Sequence, residues 1–316
     1  MKTSLIAIRR AFIFGYFPLF LTNCGGGAQL QPAVISEFAV VANQDNTISI
    51  YSIDSSSGKL QSTGTVVSGG STPVSIAADR TGRFVYIANF TAGGVSELSI
   101  NASSGTLTPV GSPVPSGRNP RSVTATGTFT YVANLGSNNI YTYAIDSSTG
   151  ALTQVSSPLS IVSSPLSLAV DSAGRFAYAV STDSNTVSVF TINGTTGGLT
   201  AVGSPVSAGT SPEFVLVHAS GKFAYVVNTG SQDISVFAID PHNGSLTSVG
   251  SPVADQGSFP VAIAGDPSGQ FVYLAGNTGS SPVGDAKKMK GLPQNHRFSL
   301  WSNLVQLRRE RTRFNR

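Results

Sequence analysis

One short phrase returns along this chain at nearly constant spacing, and it constrains the fold more than any other feature. It reads Asp-x-x-Gly-x-Phe-x-Tyr in Asp79–Asn89, Asp171–Ser181 and Asp266–Gly276, with His218 replacing the aspartate in His218–Asn228 and a worn copy at Thr126–Asn134. The phenylalanines stand at positions 84, 129, 176, 223 and 271, separated by 45, 47, 47 and 48 residues. A second phrase, Ile-Asp-x-x-x-Gly-x-Leu, keeps the same register at Ile53–Leu60, Ile145–Leu152 and Ile239–Leu246. A proline opening a hydrophobic run recurs at Pro73, Pro120, Pro165, Pro212 and Pro260. Three motifs in one register mark a structural repeat, and a period of 40 to 50 residues belongs to propellers and solenoids.

Each repeat divides into four strands. The proline leads into an inner strand such as Val74–Ala78, and an Asp-x-x-Gly hairpin follows. There the carboxylate can accept backbone N–H bonds and the glycine supplies φ > 0. Phe-x-Tyr-x-Ala makes the second strand, a run such as Val187–Ile192 the third, and Leu-Thr-x-Val-Gly-Ser the outer edge after the Asp-x-x-x-Gly turn. Only 11% of residues are charged, and 34 are glycine, which suits short twisted strands better than helices. A β-sandwich has no reason to repeat its turn chemistry at fixed spacing. The expected class is therefore all-β, a β-propeller of four-stranded blades over residues 36–282.

The combination Gly-x-Phe-x-Tyr-Val-x-Asn, Ile-Asp-x-x-x-Gly-x-Leu and Ser-Pro-Val resembles the lactonase-type propellers, the 6-phosphogluconolactonase-like family related to Tyr-Val-Thr-Asn repeat proteins. The likeness runs from Phe38 to Tyr273. It implies seven blades, whereas the strands counted here amount to the last three of one blade, four whole blades and two strands more, about five. Near Val283 the composition changes abruptly, and nine of the nineteen basic residues fall in residues 283–316. A change of reading frame that replaced the last two blades is the favoured reading of this tail. The alternative is a basic tail with Phe298, Leu300, Trp301, Leu304, Val305 and Leu307 on one face of an amphipathic helix.

The other end reads as a targeting segment over residues 1–23. Lys2, Arg9 and Arg10 precede the apolar stretch Ala11–Leu21, which is shorter than the roughly twenty residues a spanning helix needs. Leu21-Thr-Asn-Cys24-Gly resembles a lipoprotein lipobox, with Asn23 where a smaller residue is usual. Cys24 is the only cysteine and therefore the expected lipid attachment point, with residues 24–35 as a flexible tether. The expectation is an exported bacterial lipoprotein at the periplasmic face of a membrane or at the cell surface. Between Cys24 and Pro282 there are seven basic and thirteen acidic residues, so no nucleic-acid partner is expected.

Residues common to every blade are architectural, so function belongs in the deviations. The position after the repeated proline reads Val74, Arg121, Leu166, Glu213 and Val261. Arg121 and Glu213 break an apolar ring, with Arg118 close by. These three are the expected contacts for an anionic or polyhydroxylated ligand at the channel mouth, and Arg121 and Glu213 the catalytic candidates. His218 and His242 sit in repeated turns and His296 in the tail. No metal spacing is found, and no metal or other cofactor is expected. Function is read as a surface or periplasmic module binding a small molecule, glycan or protein. The resemblance implies the alternative, a lactone hydrolase working at the same mouth.

Overall fold

Every repeat folds into one antiparallel sheet, because its two turn motifs reverse the chain at fixed points. The computed structural model describes residues 11–12, 37–43, 46–54, 59–68, 71–161, 164–254, 259–265, 271–277 and 297–298. In blade three the inner strand is Pro120–Ala125, the second Phe129–Asn134 and the third Asn139–Ile145. Leu152–Gln154 and Leu159–Ser160 both pair with the third strand, so the outer edge is one broken strand. Blades two, four and five repeat this plan from Pro73, Pro165 and Pro212. Blade one holds Glu37–Ala42, Thr47–Ile53 and Leu60–Ser68, with Ala11–Phe12 paired to Glu37–Ala42 at the inner position. Blade six holds Phe259–Gly265 and Phe271–Asn277. The strand plan read from the repeat is the one found. The break in the outer strand was not foreseen.

Among the expected features of the termini, Cys24 and most of residues 1–36 and 278–316 lie outside the described residues. Phe298, which the amphipathic-helix alternative would put on a helix, lies in the strand Arg297–Phe298, parallel to Phe271–Asn277.

The hairpins work as their chemistry predicts. Asp79 Oδ1 accepts the N–H groups of Arg83 and Phe84, each at 2.9 Å, and Asp171 Oδ1 those of Arg175 and Phe176 at 2.6 and 3.0 Å. A buried carboxylate that would otherwise be costly thus satisfies two backbone donors. The second turn uses asparagine as well as aspartate: Asn101, Asp146, Asn193 and Asp240 each accept two N–H bonds through the side-chain oxygen.

The core lies between blades rather than inside them. In the strand Phe84–Asn89, Phe84, Tyr86 and Ala88 pack toward blade three, while Val85 and Ile87 pack toward blade one. This is the two-residue alternation of a strand with both faces buried. A Cβ at Gly105, Gly150, Gly197 or Gly244 would collide with the ring of Phe38, Phe84, Phe129 or Phe176 from the blade before. Burying each phenylalanine this way contributes about 1.5–3 kcal/mol. The hydroxyls of Tyr86, Tyr131 and Tyr178 donate to the carbonyls of Gly150, Gly197 and Gly244 at 3.1, 3.0 and 3.0 Å. At the axis, the hydroxyls of Ser75, Ser122 and Ser167 accept the N–H groups of Val123, Leu168 and Val215 in the next inner strand. These links set the inner strands side by side.

Candidate functional site

The residue before the inner-strand proline of blades two to five is held in a left-handed conformation, which fixes how the strand enters the channel. Thr72, Asn119, Ser164 and Ser211 have φ of 56°, 51°, 40° and 52°. Such a φ costs a non-glycine residue energy, so it persists only where neighbours impose it. Two bonds do so. The N–H groups of Thr72, Ser164 and Ser211 donate to Oδ1 of Asn46, Asn138 and Asn185 in the preceding blade, at 2.6, 2.7 and 2.7 Å. The carbonyls of Thr72, Asn119, Ser164 and Ser211 accept the N–H groups of Phe90, Leu135, Thr182 and Thr229. Blade two carries Gly93 where blades one, three and four have asparagine and blade five has Gln232, so Asn119 lacks the first bond; its Nδ2 instead donates to Phe90 O at 3.3 Å.

Immediately after this corner the ladder slips. Pro120 pairs with Asn134 and Ser122 with Ala133, which leaves Arg121 as the extra residue of a β-bulge. The same slip isolates Val74, Leu166, Glu213 and Val261. A bulge residue is released from strand pairing and its side chain is re-aimed, a common arrangement beside functional sites. The variable position singled out in the sequence is therefore the bulge position in blades two to six.

Arg121 and Glu213 are both half-buried, on the inner strands of blades three and five with Leu166 of blade four between them. Burial lowers the Arg121 guanidinium pKa, and the negative charge of Glu213 acts in the opposite direction. The two charges therefore share one electrostatic neighbourhood at the upper end of the inner strands. Glu213 is itself held: Thr229 Oγ1 lies 3.1 Å from Oε1 and 3.0 Å from the Ser211 carbonyl, its single proton shared between the two acceptors. Arg118 is exposed on the loop before the corner. Its backbone is pinned by its N–H donating to Ser137 Oγ at 3.1 Å and its carbonyl accepting from Gly136 N–H at 3.0 Å. The structure thus puts Arg121 within the electrostatic field of Glu213 and leaves Arg118 exposed on the loop.

The histidines keep turn roles. His218 is 3% exposed, its Nδ1 accepts the Ser220 N–H at 3.2 Å, and its ring meets Tyr225 edge-on at 6.2 Å. His242 is exposed in the second turn of blade five, and His296 lies outside the described residues. Among the described residues no group of three His, Cys, Asp or Glu side chains could hold a metal ion.

One charged residue was missed. Glu97, on the third strand of blade two, is 5% exposed and accepts the Leu152 N–H of blade three at 2.8 Å. Burial raises its pKa, and the bond from Leu152 offsets part of that shift. The sister positions are Ile50, Thr142, Val189 and Val236, so a lone carboxylate in that column was the available signal.

Four-stranded sheets that repeat around an axis, each packed on the next through its turn glycine, define a β-propeller. Residues 25–121, 122–217 and 213–283 match the profile of the lactonase, 7-bladed beta-propeller family. The chain belongs to that family. Among solved structures, it resembles a protein assigned as a 6-phosphogluconolactonase of Bacteroides uniformis, at 20% identity and TM-score 0.70 over 85% of this chain and 81% of that one. It also resembles the periplasmic gluconolactonase of Pseudomonas aeruginosa, at 22% identity and TM-score 0.68 over 86% and 83%. At such identities the likeness is one of fold. No curated protein matches the chain.

Proposed function

We propose that this lactonase-like propeller hydrolyses a sugar lactone at the upper channel mouth. The observation that carries the reading is geometric: Arg121 and Glu213 stand at the bulge that each inner strand releases from pairing, and the charge of Glu213 acts on the half-buried Arg121. Membership of the lactonase family and likeness to gluconolactonases favour this alternative over the non-catalytic binding module.

Opening a lactone requires water to add to the carbonyl carbon, the carbonyl oxygen to carry negative charge, and the ring oxygen to leave with a proton. Glu213 takes the proton from the attacking water and returns it to the ring oxygen as the C–O bond breaks. Arg121 donates to the carbonyl oxygen as it becomes an oxyanion, and then pairs with the new carboxylate. The Thr229 contact orients Glu213, and exposed Arg118 draws anionic substrates toward the rim. Export through the N-terminal segment and anchoring at Cys24 remain part of the proposal, on sequence features alone.

The test is hydrolysis of glucono-δ-lactone and 6-phosphogluconolactone by the full chain, followed by pH-stat. Arg121→Ala and Glu213→Gln should each lower kcat/KM by about a hundredfold or more, the usual scale of acid–base and oxyanion contributions. Turnover equal to the buffer rate would overturn the hydrolase reading, and turnover unchanged in both variants would overturn its placement at Arg121 and Glu213. Saturable lactone binding without turnover would restore the binding module.

A further inference from the structure

One β-turn of blade four takes hold of the corner that carries Glu213. The turn runs from Thr182 to Asn185, directly after the second strand Phe176–Ser181, and the Asn185 N–H closes it by donating to the Thr182 carbonyl at 3.4 Å. Both ends of the turn reach into blade five. Asn185 Oδ1 accepts the Ser211 N–H at 2.7 Å, and Thr182 Oγ1 donates to the Pro212 carbonyl at 2.8 Å. The Asn185 carbonyl also accepts the Ala208 N–H at 2.9 Å, which fixes the chain on its way into the corner.

The asparagine bond is part of the repeat, since Thr72 and Ser164 receive it from Asn46 and Asn138. The threonine bond is a deviation from it. The residue that follows the second strand is Phe90 in blade two and Leu135 in blade three, side chains with no proton to donate to the next corner. Those corners lead into Arg121 and Leu166. The corner held by both bonds is the one whose bulge bears a carboxylate. In blade five the same place holds Thr229, whose hydroxyl meets Glu213 Oε1 and the Ser211 carbonyl.

A bulge residue has no partner across the ladder, so the peptides beside it decide where its side chain points. Proline has no N–H, and its carbonyl is the one main-chain hydrogen-bonding group it offers. A hydroxyl bonded to the Pro212 carbonyl therefore sets the plane of the Pro212–Glu213 peptide, and that rigid plane carries the Glu213 Cα with it.

We propose that Thr182 is a positioning residue for Glu213, acting from the neighbouring blade through the Pro212–Glu213 peptide so that the carboxylate stands against Thr229. The proposal rests on the reading of Glu213 as the group that carries the proton in lactone hydrolysis. A displacement of about 1 Å at such a group can cost about a hundredfold in rate.

The test is a double-mutant cycle on glucono-δ-lactone hydrolysis, joined to crystal structures of the parent and of Thr182→Val. Thr182→Val keeps the shape and removes the hydroxyl, and it should lower kcat about tenfold with KM little changed. Thr182→Ser keeps the hydroxyl and should restore most of that loss. On a Glu213→Gln background, Thr182→Val should lower kcat further by no more than about twofold, because its effect passes through Glu213. In the crystal, Thr182→Val should move the Glu213 carboxylate out of hydrogen-bond distance of Thr229 Oγ1. An unchanged kcat, or an equal loss on the Glu213→Gln background, would overturn the positioning role while leaving hydrolysis in place. A parent without turnover would overturn the hydrolase reading instead, and the crystal structures would then decide: a Glu213 carboxylate unmoved in Thr182→Val overturns the positioning role whatever the activity.

Discussion

Replacing each of four buried tyrosines by phenylalanine, one at a time, separates the energetics of equivalent sites with one side chain. Tyr86, Tyr131 and Tyr178 each lose a bond of 3.0–3.1 Å to a glycine carbonyl. A neutral hydrogen bond of this kind contributes about 0.5–1.5 kcal/mol, and a carbonyl left unpaired in a dry interface adds to the loss. Each of the three variants should therefore be destabilised by about 1–2 kcal/mol. Tyr225 differs because its hydroxyl is buried without an acceptor among the described residues. Removing that hydroxyl loses no such bond and relieves a desolvation penalty of about 1–3 kcal/mol, so Tyr225→Phe should be neutral or stabilising. For a domain of this size a difference of 1 kcal/mol moves the Tm by about 2–4 °C. Thermal unfolding of the free chain followed by far-UV circular dichroism resolves that gap. The reasoning is refuted if Tyr225→Phe loses as much Tm as the other three, or if all four variants match the parent.

Two further outcomes follow from the same contacts. The folded-state pKa of Glu97 is raised above its ordinary value of 4.5. The native state therefore holds its proton more tightly than the unfolded chain, and stability falls as pH rises from 4.5 through the folded pKa. Glu97→Gln, which keeps an oxygen for the Leu152 N–H, should raise the Tm at pH 7 and flatten its slope in that window; a lower Tm at pH 7 would count against the assignment. Asn185 has φ of 56° and caps the Ser211 N–H, so Asn185→Gly keeps the backbone and removes the cap, as Gly93 does in blade two. It should cost about 1 kcal/mol in urea unfolding and lower lactone turnover by loosening the corner that carries Glu213; unchanged turnover with lost stability would detach that corner from the site.

The variable column of the site was legible because a bulge residue escapes the pairing that constrains its neighbours. Val74, Arg121, Leu166 and Glu213 differ while the proline before them and the small or apolar residue after them keep their places. The mutual influence of Arg121 and Glu213 was not legible. They lie two blades apart, and only the curvature of stacked sheets brings one inner strand into the field of another. Glu97 escaped notice for a related reason. Its partner is a backbone N–H in the next blade, and no spacing in the sequence announces such a bond.

The sequence by itself determined the blade: its four strands, its two turns, and the aspartates, asparagines and glycines that those turns require. These are local matters, decided within about ten residues by φ > 0 and by side-chain caps. The tertiary structure alone decided what each blade does to the next. Phe84 and Gly150, or Tyr178 and Gly244, are more than sixty residues apart and meet only when two finished sheets stack. The same stacking gives Tyr86, Tyr131 and Tyr178 their acceptors, while the Tyr225 hydroxyl has none among the described residues.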